Sequence, residues 1–128
     1  MMLLLAACAI VGSTASRDAS AADDRDNPLP RTGLALLMIE EPGCAYCLRW
    51  RQEVQPGYER SEEGRKAPLV QLMRSDPAVA GFPRIVYSPT FLLLSDGREV
   101  GRIVGYAGAN LFWWQIGPLM EQANRRAD

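Results

Sequence analysis

Two cysteines separated by two residues, Cys44-Ala45-Tyr46-Cys47, stand where a continuous apolar run, Leu34 to Ile39, passes through Glu40-Glu41-Pro42-Gly43 into a helical pattern. The run reads as a strand buried on both faces. The first thiol falls at the opening of the helix, where unpaired backbone N–H groups and the positive end of the dipole stabilise a thiolate. Cys47, one turn later, lies on the same face, near enough to close a disulfide with Cys44 or to resolve a mixed one. Cys44 is therefore the candidate nucleophile and Cys47 the candidate resolving thiol. Buried cysteines can be plain small hydrophobes, but Pro-Gly-Cys at a strand end is a poor place to bury a thiol. The neutral Ala45-Tyr46 dipeptide brings no cation to the Cys44 sulfur, which argues against the most strongly oxidising poise.

The rest of the composition narrows the chemistry. A chain of 128 residues holds one small domain. A net charge of −1 offers no basic field for nucleic acid. There is no histidine, which removes Ser-His and Cys-His nucleophilic pairs and imidazole metal sites. Three cysteines, Cys8, Cys44 and Cys47, make neither a disulfide framework nor the four-ligand set of structural zinc. No metal and no cofactor are expected.

Residues 1–22 read as an export signal: an apolar block from Met1 to Val11, then small residues with Ala19-Ser20-Ala21 as an A-x-A cleavage site. No Lys or Arg precedes Arg17, so the basic n-region is missing. Leu5-Ala6-Ala7-Cys8 also resembles a lipoprotein cleavage box, which would place a lipid on Cys8. Both readings export the protein; a disordered cytosolic N-terminus is the third. Residues 23–32 read as a charged, proline-containing linker and 33–128 as the domain.

Within the domain the spacing predicts a helix from Cys44 to Val54, stopping near Pro56-Gly57. Tyr58 to Pro68 reads as a charged surface segment with a short helix. Leu69–Met73 is the expected second strand, followed by a loop or short helix over 75–84. Thr90–Leu94 is the third strand. Ser95-Asp96-Gly97-Arg98 carries a hairpin signal with its return over 99–104. A last helix, about 109–124, places Phe112, Ile116, Leu119, Met120 and Ala123 on one stripe, with a kink expected at Gly117-Pro118. Of the adjacent Trp113 and Trp114, one should face the core and the other solvent. Glu40 and Glu41 read most simply as solvated turn carboxylates, one of which could relay protons to Cys47.

The segments Glu41-Pro42-Gly43-Cys44-Ala45-Tyr46-Cys47, Glu63-Gly64-Arg65-Lys66-Ala67-Pro68-Leu69, Pro89-Thr90-Phe91 and Gly105-Tyr106 with Phe112-Trp113 resemble the SoxS-type periplasmic thioredoxins of sulfur-oxidising bacteria. The resemblance spans roughly Leu34 to Met120. It implies an α/β thioredoxin-like fold, a central mixed β-sheet flanked by helices. It implies a cis bond before Pro89, with Ser88 offering its backbone to an extended substrate beside the nucleophile, and Tyr46 within reach of that substrate. It also implies a monomeric periplasmic thiol–disulfide reductase that restores a sulfur-carrier or other exported thiol protein and is charged by a CcdA-like membrane donor. The chain departs from ordinary thioredoxins, which read Trp-Cys-Gly-Pro-Cys and carry a buried acid six residues before the first cysteine, where this chain has Met38. A periplasmic disulfide oxidase or isomerase would use the same chemistry at another poise. A Cu(I)-binding thiol module is the alternative from outside enzymology, although copper chaperones on this fold usually add a His.

Overall fold

The computed structural model describes residues 26–128. The export signal, Cys8 and the start of the linker lie outside them. Strand β1 (Leu34–Glu40) is followed by helices α1 (Ala45–Glu53), α2 (Gln55–Arg60) and α3 (Glu62–Lys66). Strand β2 (Leu69–Met73), a 3-10 turn (Pro77–Val79), β3 (Thr90–Ser95), β4 (Arg98–Val104) and helix α4 (Ala109–Ala127) complete the chain.

The sheet order is β2-β1-β3-β4. β1 runs parallel to β2 and antiparallel to β3, and β3 runs antiparallel to β4. This is the expected mixed sheet. β1 is central, and residues 35–40 are all buried, as a two-sided apolar run requires. The D-G turn forms between β3 and β4 with Asp96 at φ 50° and Gly97 at φ 78°, the left-handed pair of a tight hairpin. Asp96 is also tied back to Gly33, whose N–H donates to Oδ1 at 2.7 Å.

Alternation along the strands sends their side chains to two separate cores. Leu36, Met38, Phe91, Leu93 and Ile103 meet Trp50, Tyr58, Phe112 and Ile116 on the face covered by α1, α2 and α4. Leu37, Ile39, Leu92 and Leu94 pack with Leu29 and Val79 on the other face. Leu29, within the stretch read as linker, is thus part of a core.

Two expectations need revision. The first helix ends at Val54 as expected, but the chain re-enters helix at once. Pro56 sits in the first turn of α2, where its missing N–H costs nothing. Tyr58 is not on the surface; it is fully buried, and its hydroxyl donates to the Ala67 carbonyl at 2.6 Å. Helix α4 continues through Gly117-Pro118. The carbonyl that Pro118 cannot pair with belongs to Trp114, and both residues lie on the exposed face, where solvent can satisfy it. The apolar stripe of α4 is as expected: Phe112, Ile116, Met120 and Ala123 are buried, and Leu119 packs against them.

Candidate redox site

β1 delivers the site. After Glu40 the chain turns through Gly43, whose φ of 73° suits a residue without a Cβ, and Cys44 becomes the N-cap of α1. Its sulfur accepts the Cys47 backbone N–H at 3.1 Å, so an orphan donor of the helix start points at sulfur. Cys44 and Cys47 are joined as a disulfide with Cα atoms 5.3 Å apart. The two differ sharply in exposure. Cys44 is half-buried at the turn, whereas Cys47 is 1% exposed and belongs to the ring-lined core beside Met38 and Trp50.

The Ser88–Pro89 bond is cis. Ile39 pairs with Thr90, so Pro89 enters β3 at the end of the sheet where β1 leaves toward Cys44. Two hydrogen bonds fix this loop: Thr90 Oγ1 donates to the Tyr87 carbonyl at 2.6 Å, and Gly105 N–H to the Pro89 carbonyl at 2.8 Å. Among the described residues, no hydrogen bond engages the Ser88 backbone. Tyr46 is exposed, and so are Val86 and Tyr87, an apolar pair beside the proline that sequence reading passed over. Their position just before an X-Pro step was the available signal.

The Gly105 loop is braced against α1. Tyr106 is buried, its hydroxyl hydrogen-bonds a Glu53 carboxylate oxygen at 2.5 Å, and Arg49 reaches Glu53 at 3.3 Å while its guanidinium lies 5.8 Å from the Tyr106 ring centre. The Tyr106 hydrogen bond, helped by the nearby Arg49 charge, holds the Glu53 carboxyl below its usual range against a smaller opposing effect of burial. Burial first, and then the Glu53 bond, push the Tyr106 phenol up to about 12. The helix that carries the cysteines and the loop that holds Pro89 are therefore one connected frame.

Of the two turn glutamates only Glu40 is withdrawn from solvent; Glu41 is the solvated turn carboxylate expected, its side chain 43% exposed. Glu40 ends β1 with 5% exposure and is ion-paired to Arg51 of α1, while Glu41 pairs with Arg74. The family's buried-acid position is occupied by Met38, which is fully buried. Trp113 stacks on Tyr58 with ring centres 6.1 Å apart, and Trp114 is exposed.

A four-stranded mixed sheet, a Cys-x-x-Cys disulfide at a helix start and a cis-proline at the same sheet end define a thioredoxin-like thiol–disulfide oxidoreductase. The chain resembles the solved periplasmic thioredoxin SoxS of Paracoccus pantotrophus at 42% identity, covering 70% of this chain and 98% of that one, with a TM-score of 0.66. It belongs to that SoxS-type thioredoxin family. At 20% and 17% identity, a Thermus thermophilus thioredoxin (TM-score 0.58, 75% of this chain and 80% of that one) and mitochondrial thioredoxin 3 of Saccharomyces cerevisiae (0.57, 76% and 89%) share the fold. No protein-family model matches the chain, and neither does any curated protein sequence.

Proposed function

We propose that the protein is a periplasmic thiol–disulfide reductase in which Cys44 attacks and Cys47 resolves. The carrying observation is the difference in exposure across one helical turn: Cys44 is partly exposed at the turn, and Cys47 is closed off in the core. The Cys44 thiolate attacks one sulfur of a partner disulfide. A mixed disulfide forms, and the partner's other sulfur leaves as a thiolate that takes up a proton. Cys47, once deprotonated, then attacks the Cys44 sulfur. This releases the second partner thiol and leaves Cys44–Cys47 oxidised, two electrons having passed to the partner. Ser88 would pair its free backbone with the partner's extended segment, Pro89 would shape the approach, and Tyr46 would contact the segment from the helix side.

The substrate is an exported protein with an oxidised cysteine, a sulfur carrier being the leading class, and electrons return through a CcdA-like membrane donor. The identity to a periplasmic SoxS and the apolar, small-residue sequence of residues 1–22 support that location, with a lipid on Cys8 as the variant form. The protein acts as a monomer in this scheme. Cys47→Ser keeps the nucleophile and removes the internal attack, so thiol-sensitive adducts with exported proteins should accumulate in cells. They should vanish in Cys44→Ser. If neither variant traps a partner while the wild-type protein binds Cu(I) tightly, the metal-module reading replaces this one.

A further inference from the structure

Arg51 follows Cys44 by seven residues, two turns of α1, and so lies on the same face. Two turns rise about 10 Å, and helical side chains lean back toward the N-terminus, which carries the guanidinium toward the sulfur. In the structure Glu40, Cys44, Leu48, Arg51 and Met73 line one open depression of about 400 Å³, so Arg51 and Cys44 border the same space. A lone guanidinium there would stabilise a Cys44 thiolate. It is not alone. Glu40 reaches it from the end of β1 with a side chain only 6% exposed, while the Arg51 side chain is 39% exposed.

We propose that Glu40 is a positioning residue for the redox couple: it cancels the Arg51 charge beside Cys44 and so keeps the couple reducing. This rests on Cys44 being the attacking thiol. The remaining charges around the depression are already matched, since Glu41 is paired with Arg74. The loop from Tyr87 to Thr90 adds no charged side chain, and its titratable group is the exposed Tyr87 phenol; on α1, Tyr46 is likewise exposed and neutral. With Arg51 cancelled, stabilisation of a thiolate falls to the helix start, seen in the Cys47 N–H on the Cys44 sulfur. A less stabilised thiolate makes the reduced form less stable and the protein a better reductant.

A merely structural ion pair, clamping β1 to α1, would predict that loss of either partner disturbs the site in the same way. Charge cancellation predicts opposite signs. On reduced protein, the rate of Cys44 alkylation is measured against pH, together with the equilibrium with glutathione. Glu40→Gln frees the Arg51 charge, so the alkylation midpoint should move to lower pH and the rate at pH 6 should rise about threefold or more. The glutathione equilibrium should move toward reduced protein by a similar factor, and threefold corresponds to ~15 mV. Arg51→Gln leaves the carboxylate beside the sulfur and should move both readouts the other way. The double variant should return close to wild type.

Shifts of the same sign in both single variants, or no shift in either, would overturn the proposal. Should Glu40→Gln not fold, Arg51→Gln decides alone: a midpoint moved upward supports cancellation, and one unmoved or lowered overturns it. Neither readout needs a partner protein, so failure here is separate from failure to trap one. Preferential alkylation of Cys47 in the wild-type protein would count against the reductase reading itself.

Discussion

The two faces of the sheet are built to different standards. One is closed by α1, α2 and α4 over interlocked rings: Trp50 lies 5.0 Å from Phe91 and 5.5 Å from Phe112, centre to centre, and Tyr58 stacks on Trp113. The other is closed, among the described residues, by a 3-10 turn and mostly aliphatic side chains, with Val79 and Leu29 set on Leu37, Ile39, Leu92 and Leu94 and Phe82 partly buried at its edge. The cysteine pair belongs to the first face. The loop that ends in Ser88–Pro89 leaves the second, where Phe82 and Ile85 are only partly buried. The redox couple is held by a heavily packed core, and the cis-proline loop departs from a lighter one. The Gly105–Tyr106–Glu53 connection joins the two halves of the site.

Removing a ring should therefore cost more than trimming the aliphatic side. Phe112→Ala should destabilise by about 3–5 kcal/mol in denaturant unfolding. Val79→Ala should cost about 1–2 kcal/mol, two methyl-sized groups' worth of burial. Equal costs would break the contrast between the faces. Gly64→Ala probes the ring face from its backbone. A Cβ there would stand 1.9 Å from the Tyr58 carbonyl oxygen, where no side-chain motion can relieve it. A loss of about 1–3 kcal/mol or more is expected, and a neutral result would show that α2 and α3 can separate freely.

A smaller effect should report on the brace between the halves. Glu53 is held below the ordinary glutamate value of 4.5 by the Tyr106 hydroxyl first. A carboxyl whose value is lowered by folding contributes stability above its unfolded value, and that contribution disappears as pH falls through the lowered folded one. The advantage of wild type over Tyr106→Phe should thus be full at neutral pH and shrink in the acid range below 4.5. An advantage that persists unchanged in acid would mean the phenol acts through packing alone.

Much of this was readable in the sequence, and most of the exceptions turn on distant contacts. The Cys44–Cys47 couple, the β1 run, the Asp96-Gly97 turn and the stripe of α4 all follow from local pattern. Pro56 was ambiguous because proline ends one helix by the same property that lets it begin another. Tyr58 hid among charged neighbours, and its burial depends on a ring cluster drawn from α1, β3 and α4. Glu40 and Glu41 gave no sign of their ion pairs. Their partners, Arg51 and Arg74, lie 11 and 33 residues away, and the Glu53–Tyr106 contact spans 53. Distant pairing of charges leaves no periodicity to read.

The central claim is that one thiol of the pair is presented and the other is kept. Reduced protein treated near neutral pH with a limiting amount of alkylating reagent, followed by peptide mapping, tests it directly. The account predicts label on Cys44 well before Cys47, because Cys44 is the accessible sulfur and receives the helix-start N–H. Equal labelling, or faster labelling of Cys47, would contradict it.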